Sequence, residues 1–412
     1  MTRATTRTTL GSRGRAARAA GLPRRLDGGG VPILSWAPDL EGPALDQAIN
    51  LSRLPFAIGH VALMPDAHAG YGMPIGGVLF ADRAVVPYAI GVDIGCGVAL
   101  LDTDLTIDDL PPRTLGRVLD SIAAGVPVGT RHHAGPVDRA VAEAEIGIDR
   151  PGSIEEAWFV RALGALGTLG SGNHFLEIQR DEAGRVAVML HSGSRSLGKA
   201  ICDAFQARAL ARCLHDGRPL PHRELAYLTD EDPEQHAYWA AMQFALRYAE
   251  VNRSRMLDVV ELALETRTRA TRLHRSVDIH HNYAALETHA GRDGLVHRKG
   301  AVRAAAGNIV LIPGSMGTAS YVAEGLGNPD SFETCQHGAG RAMSRHAARR
   351  SATADEVYAA MDRLGVALHA GDRKGVAEEA AFAYKDIDAV MAASASLTRP
   401  VRRLVPMGVL KG

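Results

Sequence analysis

Six segments, five of them glycine-containing, hold most of the side chains in this sequence that could ligate a metal or handle a phosphate. The first runs from His60 to Gly77 and contains Asp66-Ala67-His68, a carboxylate and an imidazole close enough to serve a metal or the hydrogen bonds behind one. A bond that merely steadies a loop is an equal reading. In the second, Gly91-Val92-Asp93-Ile94-Gly95-Cys96-Gly97, Asp93 and Cys96 could share one cation, the glycines letting backbone come close. A lone cysteine is more often a small core hydrophobe. The third, Gly170-Ser171-Gly172-Asn173-His174-Phe175-Leu176-Glu177, sets Asn173 and His174 at the mouth of a strand, after a turn whose N–H groups suit an anion. The fourth, His191-Ser192-Gly193-Ser194-Arg195, follows an apolar strand and fits metal plus phosphate, or a plain surface loop. In the fifth, His280-His281-Asn282, neighbouring side chains on a strand face opposite ways, so at most one imidazole joins a given metal. The sixth, Cys335-Gln336-His337-Gly338-Ala339-Gly340-Arg341, places His337 before a glycine turn expected to open a helix. Such a turn can hold phosphate, and His337 could be a nucleophile, a phosphate donor or a cap.

One thiolate, several imidazoles and a carboxylate suit Zn²⁺ or Mn²⁺. Sulfur leans to zinc, and phosphate chemistry among carboxylates and amides leans to manganese. No Walker A loop, Rossmann fingerprint or recognisable Ser-His-Asp set is present. The residues by themselves point to a metal-dependent enzyme acting on phosphate groups.

The elements that must position these groups alternate. Helices are predicted over 46–54, 114–125, 153–166, 197–214, 234–267, 340–350, 354–361 and 387–395. Strands are predicted over 60–64, 78–80, 98–101, 175–178, 186–190 and 308–312, with a loop at 65–72. With 412 residues, 46% hydrophobic and 22% charged, the chain can bury a large core. No apolar run is long enough for a membrane helix. A net charge of zero excludes a surface that grips nucleic acid all round, though not a local basic groove. Four cysteines without a Cys-x-x-Cys pair fit a reducing compartment, and with no secretory signal this predicts a cytoplasmic protein. Residues 1–30, rich in arginine and ending in Gly28-Gly29-Gly30, read as a disordered extension, with one domain over 31–412. The expected fold class is α+β: a β-sheet core flanked by helices, with a central cleft.

From Trp36 to Gly412 the chain resembles the RtcB family of RNA-splicing ligases. The resemblance rests on Gly91 to Gly97, Gly172-Asn173-His174-Phe175, His191 to Arg195, Pro313-Gly314-Ser315-Met316-Gly317, His337 to Arg341 and the terminal Lys411-Gly412, all in family order. It implies GTP- and Mn²⁺-dependent joining of RNA ends bearing a 2′,3′-cyclic phosphate or 3′-phosphate to 5′-hydroxyl ends, through a histidine–GMP intermediate. His337 is the implied nucleophile, and Asp93, Cys96, His174, His191 and His281 the implied ligands of two Mn²⁺ ions. Asn173, His174, Phe175, Leu176, Glu177, His281, Asn282, Pro313, Gly314, Ser315, Met316, Ser320, His337, Gly338, Ala339, Gly340, Tyr384 and Lys411 fall where the family holds GMP. Glu177 would select guanine, Arg195 and Arg341 would meet phosphate of RNA or nucleotide, and Asp66 and His68 would sit behind the metal ligands. An archease-type helper protein is a further partner the resemblance raises. The alternative is a metal-dependent 2′,3′-cyclic phosphodiesterase without ligation, which would not need His337, Glu177 and Lys411 together.

Overall fold

Apolar runs such as Val186 to Leu190 make strands buried on both faces, and the largest sheet is built from them. A computed structural model describes residues 21–412 except 134, 136 and 374. Its central sheet runs, in spatial order, Leu273–His280, Gly97–Thr106, Arg185–Ser192, Phe175–Arg180, Thr398–Lys411, Ser320–Gly325 and Ile309–Ile312. These neighbours are antiparallel, and Ala367–Ala370 adds a parallel partner along the end of Thr398–Lys411. On one face Ala99, Leu101, Leu176, Ile178, Val188 and Leu190 pack against Leu115, Val118 and Ile122 of helix Pro112–Gly125 and Met256, Val260 and Leu264 of helix Pro233–Arg267. On the other, Val98, Leu100, Phe175 and Met189 meet Leu311, Val322 and Leu404 from the far strands, so the sheet curls almost closed upon itself.

A second sheet lies beside it, in the order Arg24–Leu26, Ile33–Ser35, Ala57–His68, Ile75–Ala81, Arg292–Lys299 and Asn282–His289. Only the pairing of Ile33–Ser35 with Ala57–His68 is parallel. One residue, His281, joins the edge strand of the central sheet to the edge strand of this one. The expected α+β class, with one mixed domain, is what the chain adopts. Among the described residues no helix is long and apolar enough to cross a membrane, and all four cysteines are free and buried.

Three expectations are corrected. The strand entered at Ala57 continues to His68 rather than ending in a loop at Pro65, because the ladder skips between Leu63 and His68 and Pro65 sits in the irregularity. Gly340 does not open a helix: the helix starts at Arg345, where the Ser344 hydroxyl accepts from the Ala347 N–H at 3.1 Å. Within the segment assigned to the extension, Arg24–Leu26 pairs with Ile33–Ser35. Gly30 there is a packing glycine rather than a flexible one, since any side chain on it would strike the backbone of Ser52. Residues 1–20 of that assignment lie outside the described residues.

Candidate active site

Register brings the ligand candidates together. Gly97 pairs with Ser192, Val98 with His191, Phe175 with His191 and His280 with Gly97. Cys96, His174, His191 and His281 therefore meet at one end of the central sheet. The Cys96 sulfur lies 3.4 Å from His174 Nε2 and 3.2 Å from His191 Nε2, and the three ligand atoms fall within 4.8 Å of one another. His281 Nε2 is 3.4 Å from His191 Nε2, and Asp93 Oδ2 is 3.0 Å from His174 Nε2.

The hydrogen bonds behind these rings decide what faces inward. His174 Nδ1 lies 3.0 Å from the Leu169 carbonyl and His191 Nδ1 3.2 Å from the Asn173 carbonyl. A carbonyl only accepts, so each ring donates through Nδ1; His191 thereby presents an Nε2 lone pair to the sulfur, while His174 Nε2 also faces an acceptor, the Asp93 carboxylate. Burial, and then neighbouring imidazoles, hold His191 and His281 well below the ordinary imidazole range, so both are neutral. Burial pushes the Cys96 thiol well above its usual range, and the Asp93 charge adds to this. Packing around Asp93 disfavours its charge, yet His174 and Arg195 keep its carboxyl below the ordinary value. Ser194 N–H donates to Asp93 Oδ1 at 3.1 Å. Gly193 has no side chain because one would collide with the same carboxylate. His281 Nδ1 is buried without a partner. Lone pairs of nitrogen, sulfur and carboxylate thus converge with too few protons between them, an arrangement that a metal cation satisfies.

His337 stands beside this cluster, its ring centroid 4.9 Å from that of His281. The fully buried Asp66 accepts from His337 Nδ1 at 2.7 Å, which leaves the Nε2 lone pair free for a nucleophile's work. His68 donates through Nδ1 to the Asp66 carbonyl at 3.0 Å, and burial pushes it down to about 4, so it is a neutral brace. Asn282 is a brace too: its Nδ2 donates to the Asp93 carbonyl at 3.0 Å, and its Oδ1 accepts from Gly300 at 2.8 Å.

Phe175 links the cluster to a buried polar group. Its ring lies 5.4 Å from that of His191, and Lys411 Nζ stands 5.8 Å over its other side. Glu177 shares this face of the strand; Gln179 Nε2 donates to its carboxylate at 2.6 Å and to Ser320 Oγ at 3.2 Å. Burial pushes the Glu177 carboxyl up to about 7, against the lowering effects of Gln179 and Lys411. Ser320 Oγ also accepts from Gly314 N–H at 3.2 Å, and the Pro313 carbonyl accepts from Ala339 at 2.9 Å, joining the Pro313–Ser315 turn to Gly338–Gly340. Leu176 points away, into the layer beneath the sheet, and Met316 packs with Val357, Met361 and Val409, so neither side chain joins this polar group. Arg195, expected on phosphate, donates to Thr168 Oγ1 at 3.2 Å and the Gly129 carbonyl at 3.4 Å, behind His174. Arg341 pairs with Glu379 at 3.2 Å and stacks 5.3 Å over Tyr384.

Glu379 escaped the sequence reading. It is 3% exposed and gathers Lys411 at 3.5 Å, Arg345 at 3.5 Å, Arg341 and the Tyr384 hydroxyl. Adjacent acids inside the apolar stretch Val376 to Phe382 were its one signal. Gln179 carried none, and Ser194 was seen only as part of the His191 to Arg195 motif.

The family model described as tRNA-splicing ligase RtcB matches residues 47–412. The RNA-splicing ligase RtcB of Escherichia coli K12 is 38% identical over 405 residues, covering 93% of this chain and 98% of that protein. Its namesake in Mycobacterium tuberculosis is 37% identical over 435 residues, covering 89% and 100%. The tRNA-splicing ligase RtcB of Thermococcus kodakarensis is 34% identical over 439 residues, covering 89% and 91%. With a matching family model over most of its length and full-length relatives well above 30% identity, the chain belongs to the RtcB family.

Proposed function

We propose that this chain is an RNA ligase that joins 2′,3′-cyclic phosphate or 3′-phosphate ends to 5′-hydroxyl ends, using GTP and two Mn²⁺ ions. The observation that carries this reading is His337, whose Nδ1 is held by buried Asp66 while Nε2 stands free beside the Cys96, His174 and His191 cluster. Asp93, Cys96, His174, His191 and His281 would hold the metal, which when bound neutralises phosphate charge and orients attacking and leaving oxygens.

His337 Nε2 attacks the α-phosphorus of GTP; a P–N bond forms, the P–O bond to the β-phosphate breaks and pyrophosphate leaves. Asp66 steadies the positive ring that results, as a buried carboxylate does for an imidazolium. Water opens a cyclic end to a 3′-phosphate. An oxygen of that phosphate displaces His337 from phosphorus, breaking P–N and leaving an RNA-3′-pp-5′-G end. The 5′-hydroxyl oxygen then attacks the RNA phosphorus, loses its proton and expels GMP. Splitting one hard displacement in this way is covalent catalysis. Glu177, when ionised, accepts from the N1 and N2 donors of guanine; adenine would leave it mispaired.

The test is incubation with α-³²P-GTP and Mn²⁺, followed by denaturing electrophoresis, for wild type and His337→Ala. Label that resists base, leaves with acid and is absent from the variant is the expected result. No label on metal-loaded, folded wild type would sink the reading of a ligase that works without a helper, leaving a helper-dependent enzyme or a cyclic phosphodiesterase. Opening of a cyclic phosphate without GTP would then identify the phosphodiesterase.

A further inference from the structure

Helix Pro233–Arg267 runs through the apolar interior, yet two consecutive polar residues on it, Asn252 and Arg253, are fully buried. Their hydrogen bonds do not serve helix packing. Asn252 Oδ1 accepts from the N–H groups of Gly167 at 2.7 Å and Thr168 at 3.1 Å. Its Nδ2 donates to the Thr168 carbonyl at 3.3 Å, the Ser192 hydroxyl at 3.2 Å and the Gly193 carbonyl at 3.1 Å. Ser192 Oγ in turn donates at 2.8 Å to the Leu169 carbonyl, the acceptor that fixes the His174 ring. Arg253 Nη1 donates to the carbonyls of Gly95 and Ser192, both at 3.0 Å, while Nε and Nη2 hold Asp278 at 2.7 Å.

Gly95 precedes Cys96, Ser192 follows His191, and Asp278 lies on the strand that ends one residue before His281. The bonds to Gly95 and Ser192 land next to Cys96 and His191, and those to Gly167 and Thr168 hold the turn just before the Leu169 carbonyl that orients His174. We propose that Asn252 and Arg253 are positioning residues of the metal centre, which fix the spacing of its four ligand-bearing segments before an ion arrives. This rests on the metal-site reading above and extends it. A buried arginine is costly unless its whole fork is used. Lysine, with all its donors on one nitrogen, cannot reproduce a fork whose Nη1 takes two carbonyls while Nε and Nη2 take a carboxylate.

The test is a Co²⁺ titration of the full chain, read by the thiolate-to-cobalt charge-transfer absorption that Cys96 contributes. Wild type is compared with Asn252→Asp, Arg253→Lys and Arg298→Lys. Arg298 is equally buried but is spent on Glu287, Thr334 and the Phe332 carbonyl. Asn252→Asp and Arg253→Lys are expected to bind Co²⁺ at least ten-fold more weakly, with excess Mn²⁺ restoring most of the GTP labelling. Arg298→Lys is expected to melt at lower temperature and bind Co²⁺ like wild type. Asn252→Asp keeps both acceptor bonds, so it carries the decision alone if Arg253→Lys does not fold. Wild-type Co²⁺ affinity in folded Asn252→Asp would overturn the proposal. So would an equal loss in Arg298→Lys, which would make the effect one of general stability. A wild type that binds no Co²⁺ would instead remove the metal reading itself.

Discussion

The two buried polar clusters, around Cys96 and around Lys411, solve burial in opposite ways. At the metal end, His191 and His281 are neutral, the rings of His174 and His191 are fixed by backbone carbonyls, and lone pairs point inward. At the Lys411 end, the groups that would grip a nucleotide are charged and already spent on one another: Lys411, Arg341 and Arg345 all lean on Glu379. The first end is pre-organised and short of cations. The second is balanced, and a ligand must replace internal partners to use it. Pre-organisation is set by donors that cannot move, whereas balance is set by charges that can be traded.

The largest expected effect tests the pre-organised end. Asp66→Asn keeps the shape but can hold His337 in the wrong tautomer, and should slow guanylylation by about 10²- to 10⁴-fold with little change in melting temperature. Single-turnover labelling checks it; a rate near wild type would mean Asp66 does not set the ring. A middle effect tests the balanced end. Glu379→Gln leaves buried Lys411 and Arg341 without their counter-charge and should cost roughly 3 kcal/mol or more of stability. Denaturant unfolding measures this, and an unchanged midpoint would show that the balance lies elsewhere.

The smallest effect sharpens the contrast through pH. Burial raises the Glu177 carboxyl to about 7, so it is protonated below that value and ionised above it. If ionised Glu177 reads guanine, preference for GTP over ATP rises as pH climbs through about 7. Glu177→Gln should flatten that profile and lower the preference by about ten-fold, the scale of one hydrogen bond to a charged group. Competition binding from pH 6 to pH 8, a window of about one unit either side, reads it directly.

Much of the metal end was legible as separate candidates because its residue types are rare and its glycines mark the loops; it was the family resemblance that grouped Asp93, Cys96, His174 and His191 as one ligand set. Their register was not legible, since pairing depends on which strands meet, and no local pattern encodes that. Strand Thr398–Lys411 went unread because Pro400 and Pro406 argue against a strand. Both sit beside breaks in the ladder. Glu379, Asn252 and Arg253 were hidden for a different reason. A polar residue in a helix or turn looks solvent-facing until tertiary packing closes over it.

The single-residue joint at His281 also governs which length changes this chain's architecture can absorb. One residue added between His280 and Asn282 would reverse the inward and outward faces of a strand in one sheet or the other, and would pull an imidazole off the metal cluster in the same stroke. The next connection, Ala290-Gly291, takes positive φ at both residues and caps a hairpin facing away from that joint. Insertions are therefore tolerable at the hairpin tip and intolerable eight residues earlier, at the start of strand Asn282–His289. The chemistry of the site is written into the chain as a constraint on counting.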